Sequence, residues 1–95
     1  MNKYEALFII KPDLEAEANK ATIDKFAGVV TSGGGTVVKI DEWGKKKLAY
    51  PINYIKEGYY VLMTFDAEPA VPAELERNFR ISEDVMRYIV VLREN

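Results

Sequence analysis

The chain has 95 residues, 48% hydrophobic and 29% charged. That is the balance of a single soluble globular domain, 1–95, able to bury roughly 60–70% of its unfolded surface. It contains no cysteine and no histidine, which excludes a disulfide framework, a thiolate zinc site and any nucleophile activated by imidazole. Thirteen basic against fifteen acidic residues leave a net charge of −2, the wrong sign for a protein that grips a polyanion unaided, since such affinity comes largely from phosphate neutralisation by Lys and Arg.

Tyr4 to Ile10 is nearly all apolar and rich in aromatic and β-branched residues, as in a central strand covered on both sides. The apolar stretch Ala6 to Ile10 is too short for a signal-peptide core or a membrane span, so a cytosolic protein is the default expectation. Pro12 and Asp13 close the strand. Asp13 reads as a helix N-cap, with Glu15 and Glu17 in the first turns, where the helix dipole favours acids. Ala16, Ile23, Phe26, Ala27 and Val30 then recur at helical spacing. Ser32-Gly33-Gly34-Gly35 ends the helix. A phosphate-binding glycine loop follows a strand and opens a helix; this one does the reverse and reads as a C-cap.

From Thr36 to Ile52 the pattern is extended, with Val37, Val38 and Ile40, then Leu48, Tyr50 and Ile52 in strict alternation. The latter three are expected to share one face and to belong to the core. Gly44 marks either a bulge in one long strand or the tip of a hairpin. Asn53 to Gly58 reads as a turn and Tyr59 to Phe65 as a third strand. Pro69 and Pro72 lead into a helix with Leu75 and Phe79 on its buried side, and Val85 to Leu92 forms the last strand. The order is βαββαβ, an α+β, ferredoxin-like split βαβ with two helices on one face of a four-stranded antiparallel sheet. Ala6, Phe8, Met63, Phe65, Tyr88 and Val90 are then expected to face the helices. Leu7, Ile9, Tyr60, Leu62, Arg87, Ile89 and Val91 would line the uncovered face, and an apolar patch of that kind usually marks an interface.

Catalysis has little to work with. Paired carboxylates occur at Asp41-Glu42 and Glu83-Asp84, but neighbours on a strand point to opposite faces, and neither pair carries the spacing of a magnesium or calcium loop. The chain reads as a binding protein and not an enzyme, with no cofactor, no metal and no small-molecule substrate. The segment Trp43-Gly44-Lys45-Lys46-Lys47-Leu48-Ala49-Tyr50-Pro51-Ile52 stands apart. Its lysines guard an edge strand against edge-to-edge pairing, or form a positive patch beside aromatic platforms for phosphate, base or a partner chain.

Gly-Lys-Lys-Lys-Leu-Ala-Tyr-Pro-Ile, from Gly44 to Ile52, closely resembles the signature of the bacterial small-subunit ribosomal protein six family. Tyr4-Glu5, Gly58-Tyr59-Tyr60 and Val85-Met86-Arg87-Tyr88 agree with it, and the resemblance spans the whole chain. The acidic tail of some members is missing. The resemblance implies a cytoplasmic structural constituent of the small ribosomal subunit, bound to the central domain of its ribosomal RNA as a heterodimer with ribosomal protein eighteen, a small basic protein. A cationic partner would reconcile the acidic balance with a seat on RNA. Lys45 and Arg87 are the expected RNA contacts, and Trp43, Lys46, Lys47 and Ala49 the expected partner contacts.

Two other functions occur on this fold. An RNA-recognition motif needs basic-Gly-aromatic-small-aromatic-aliphatic-x-aromatic in its third strand, and Glu57-Gly58-Tyr59-Tyr60-Val61-Leu62-Met63-Thr64 departs from it at the basic, small and two later aromatic positions. An acylphosphatase-like enzyme needs an arginine-bearing anion loop after the first strand, where this chain has Lys11-Pro12-Asp13-Leu14.

Overall fold

The computed structural model describes residues 1–52 and 54–93. Its elements run β1 (Asn2–Ile10), α1 (Ala16–Ser32), β2 (Thr36–Ile52), β3 (Ile55–Ala67), α2 (Ala70–Ile81) and β4 (Val85–Arg93). The strands form one sheet in the order β2-β3-β1-β4, every neighbouring pair antiparallel. Two βαβ halves interleave, so the first strand lies at the centre of the sheet.

Period-2 alternation decides which strand residues meet the helices. Ala6, Phe8, Met63 and Phe65 are fully buried, and Tyr88 and Val90 pack against the same core. The helices contribute Ile23, Phe26 and Val30 from α1 and Val71, Leu75 and Phe79 from α2. At the centre Phe8, Phe26 and Phe79 make a three-way aromatic contact, with ring centroids 4.5–5.3 Å apart. Such tilted and edge-on arrangements place each positive ring edge near a neighbour's negative face. Tyr88 extends the cluster by stacking on Phe79 at 5.3 Å.

The glycines after α1 act as a cap. Gly34 takes φ +84°, the Gly34 amide donates to Thr31 and the Gly35 amide to Val30, 3.0 and 2.9 Å. That is the paired closure in which the final carbonyls of a helix are satisfied by a left-handed residue. Gly44 is a bulge and not a hairpin tip: β2 shifts register between Glu42 and Gly44, where φ is +84°.

Two boundaries differ from expectation. The N-cap is Glu15, in extended conformation and without a side-chain cap bond, while Asp13 lies two residues earlier in a turn. The third strand begins at Ile55 and not Tyr59, pairing Glu57 with Lys47 and Gly58 with Lys46. The residues expected to be a turn therefore mostly continue the ladder; Asn53 lies outside the described residues. A strand needs only backbone pairing, and the polar run Lys56-Glu57-Gly58 conceals it.

Candidate partner and nucleic-acid interface

Opposite the helices, the strand registers lay down three rows of side chains. Tyr60, Ile9 and Arg87 form one, Leu62, Leu7 and Ile89 the next, and Thr64, Glu5 and Val91 the third. Leu7, Tyr60 and Leu62 are half-buried and Arg87, Ile89 and Val91 are exposed. Ile9 departs from its row at 9% exposure, because the far end of the β2–β3 hairpin bends over it.

That far end is an arm. β2 has 17 residues and β3 has 13, against nine in β1 and nine in β4, so the hairpin outruns the sheet beside it. A small hollow where the arm meets the sheet is lined by Ile9, Leu48, Ala49, Tyr50, Tyr60 and Arg87. Gly58 permits the approach: a Cβ there would overlap the Ile9 Cγ2, with the Leu48 Cδ2 3.5 Å away. Arg87 lies over the Tyr50 ring, its guanidinium carbon 5.2 Å from the centroid, a cation–π contact that ties the arm to β4.

The expectation that Leu48, Tyr50 and Ile52 join the core is therefore corrected. Leu48 is half-buried against the open face and Tyr50 is 61% exposed; the Ile52 side chain lies outside the described residues. Alternation does put Leu48 and Tyr50 on one face of the arm, but that face looks onto the bare side of the sheet, where no helix closes over it.

Trp43 sits at the bulge, 42% exposed, stacked nearly parallel to Tyr60 with centroids 6.3 Å apart. The Lys46 ammonium lies 5.9 Å from the Trp43 ring. Trp43, Lys46, Ala49 and Arg87 are thus gathered around the open face. Lys45 and Lys47 alternate away from Lys46 and are exposed. Lys45 pairs across the ladder with Tyr59, whose hydroxyl donates to the Glu42 carboxylate at 2.7 Å. That bond, then partial burial and the carboxylate's charge, raise the Tyr59 hydroxyl above its ordinary pKa. Tyr50 is the open-face residue that its alternation pattern misplaced. The signal was available in strand length, since a 17-residue strand cannot lie wholly against a nine-residue neighbourhood.

Charge is segregated. Residues 44–58 carry four lysines and one glutamate, and the rest of the chain nine basic and fourteen acidic residues. The carboxylate pairs are dispersed: Glu42 faces Tyr59, and Asp41 lies opposite Leu62 on the open face. Asp84 is held by Lys11 at 3.3 Å, where it braces the β4 entry. Among the described residues no three acidic groups converge as a metal-ligating cluster.

A split βαβ sheet with one helix-covered face, and an open face set with aromatic, aliphatic and basic groups, defines a ferredoxin-like domain. Comparison with known proteins makes this specific. The model of the family described as ribosomal protein S6 matches residues 3–92, and the chain belongs to that family. The small ribosomal subunit protein bS6 of Clostridium novyi is 57% identical over 91 residues, 96% of each chain. Its counterpart in Moorella thermoacetica is 50% identical over 94 residues, 99% of this chain and 96% of that one. The crystal structure of 30S ribosomal protein S6 from Thermotoga maritima superposes with a TM-score of 0.91 at 26% identity, covering 97% of this chain and 87% of that one. The C-terminal domain of the MgtC protein from Mycobacterium tuberculosis, TM-score 0.66 at 14% identity over 99% of this chain and 89% of that one, shares the fold alone. Family membership makes this a structural protein of the small subunit, on the cytoplasmic ribosome.

Proposed function

We propose that the open sheet face and its arm are the surfaces by which this protein is built into the small subunit, binding ribosomal RNA jointly with ribosomal protein eighteen. The observation that carries this reading is the juxtaposition of Trp43, Tyr60 and Lys46 with Arg87 and Tyr50 on the one face that no helix covers. Trp43, with Lys46 beside its ring, belongs to the partner contact as an aromatic anchor, and Lys47 and Ala49 extend that contact along the arm. Arg87 and Lys45 belong to RNA. Arg87 is exposed beside Tyr50, and its guanidinium can grip a phosphate with two hydrogen bonds.

The excess of acid outside the arm sets the order of events. Alone, the chain brings four local lysines against a surrounding negative field and binds RNA weakly; the basic partner supplies the missing neutralisation. Filter binding at physiological salt tests this, a regime in which nonspecific contacts fall to roughly 10⁻⁴–10⁻⁶ M. The isolated protein should stay in that range and the heterodimer should bind far more tightly. Arg87→Ala should lower RNA affinity of the preformed heterodimer and make its salt dependence shallower, while heterodimer formation is spared. Nanomolar binding by the isolated chain would contradict the reading.

A further inference from the structure

The helix-covered side of the molecule carries its own concavity. α1 and α2 run antiparallel there: Phe26 meets Phe79 with ring centroids 4.5 Å apart, and a Cβ on Gly33 would come within 2.8 Å of the Val71 Cγ2. Between the second half of α1 and the first half of α2 the surface opens into a hollow of about 650 Å³. Its floor is Gly28 and Val29 of α1 with Ala70 and Val71 of α2, and Lys25 stands at the Phe79 end and Glu68 at the Gly33 end. Both charges are exposed, and among the described residues neither makes an ion pair. Glu74, the other charged group of the lining, is already occupied by Arg77 and Asn78.

Nothing in the chain itself requires Gly28. It lies in the interior of a 17-residue helix, where glycine is the least favourable residue after proline, yet a Cβ there would meet nothing within 4 Å. A bare backbone on the floor of a groove suits close approach by another backbone.

We infer that this groove is a self-association site, in which α1 of a second copy crosses α1 antiparallel at Gly28. Charge selects the occupant. The groove has a free cation at one end and a free anion at the other. A copy turned about a two-fold axis at its middle therefore brings each Lys25 to the other's Glu68, and holds the two Lys25 side chains at opposite ends. A uniformly basic or uniformly acidic segment would match one end and be repelled at the other. The open sheet face and the arm stay uncovered, so the inference goes beyond the partner and RNA reading and does not depend on it. With a net charge of −2 on each copy and a small contact, the expected Kd lies between roughly 1 mM and 1 µM.

Sedimentation equilibrium of the intact chain, up to about 1 mM and at low and high salt, tests this. The wild type should show a monomer–dimer equilibrium that weakens as salt rises. Gly28→Gln introduces a better helix former, so stability in urea should be kept or raised while the dimer weakens by about tenfold or more. Lys25→Glu should weaken the dimer by roughly fivefold or more, because the axis repeats the ion pair twice. Lys25→Glu combined with Glu68→Lys should restore it. A wild type that stays monomeric throughout overturns the inference. So does self-association that Gly28→Gln leaves intact, or that the double charge reversal fails to restore. Self-association lost in Trp43→Ala but kept in Gly28→Gln would place the contact on the open sheet face and equally overturn it.

Discussion

β3 and the far half of β2 carry the same kind of pattern and meet opposite fates. In β3, Val61, Met63, Phe65 and Ala67 alternate and are completely buried. In β2, Leu48 and Tyr50 alternate just as strictly, yet Leu48 is half-buried and Tyr50 mostly exposed. Alternation reports which side chains share a face; burial depends on what lies across from that face. Across from β3 are two amphipathic helices that bring Phe26, Leu75 and Phe79. Across from the arm is the open sheet, which offers Ile9, Tyr60 and Arg87 and a narrow hollow between them.

The difference can be measured directly. Leu75 is fully buried, and Leu75→Ala should cost about 2–5 kcal/mol of stability, the range for a leucine removed from a packed interior. Leu48→Ala removes the same atoms from a half-covered site and should cost only about 1 kcal/mol, since burial of a whole leucine stabilises by about 1.5–3 kcal/mol. Urea midpoints of the two variants decide it. Equal losses would place the arm in the cooperative core and erase the contrast.

A smaller effect sharpens the comparison at the root of the arm. Tyr59 donates to Glu42 across the β2–β3 ladder, and its pKa is raised by that contact above the value of about 10 expected in the unfolded chain. A raised folded-state pKa means that the contribution is fully present below pH 10. It is lost as pH climbs through the raised value, because the phenolate would then face the Glu42 carboxylate. Tyr59→Phe should therefore lower stability modestly near neutral pH, where the bond contributes in full, and flatten the decline on the alkaline side, where the wild type loses it. An alkaline decline identical in wild type and variant would show that this bond contributes nothing to the ladder.

Most of the fold was legible because it rests on periodicity. The six elements in order, the helix-facing set Ala6, Phe8, Met63 and Phe65, and the outward set around Ile89 and Val91 all follow from spacings of two and about 3.6 residues. What escaped depends on tertiary surroundings or on backbone pairing. The helix start fell at Glu15 and not Asp13, a local choice that several acidic residues close together leave open. Ile55 to Gly58 read as a turn, because Lys56, Glu57 and Gly58 carry no apolar pattern, yet their backbone pairs with Lys46 and Lys47. The arm's fold-back is tertiary, and no window of sequence shows Tyr50 meeting Arg87. The site divides in the same way. Trp43 stood out by type and by its place beside a glycine, and Arg87 by strand parity, whereas Tyr50 was hidden by resembling a core residue.

The central claim is that the face without helices, and not the helical face, is the surface that receives the partner. Trp43 is the only tryptophan in the chain and stands on that face, so its fluorescence reports the event without a label. Titration with the basic partner protein, with complex formation followed independently by sedimentation, should shift the Trp43 emission to shorter wavelength in step with the complex, as its exposed ring is withdrawn from water. A complex that forms while the emission of Trp43 stays as it is in the free chain would contradict the account.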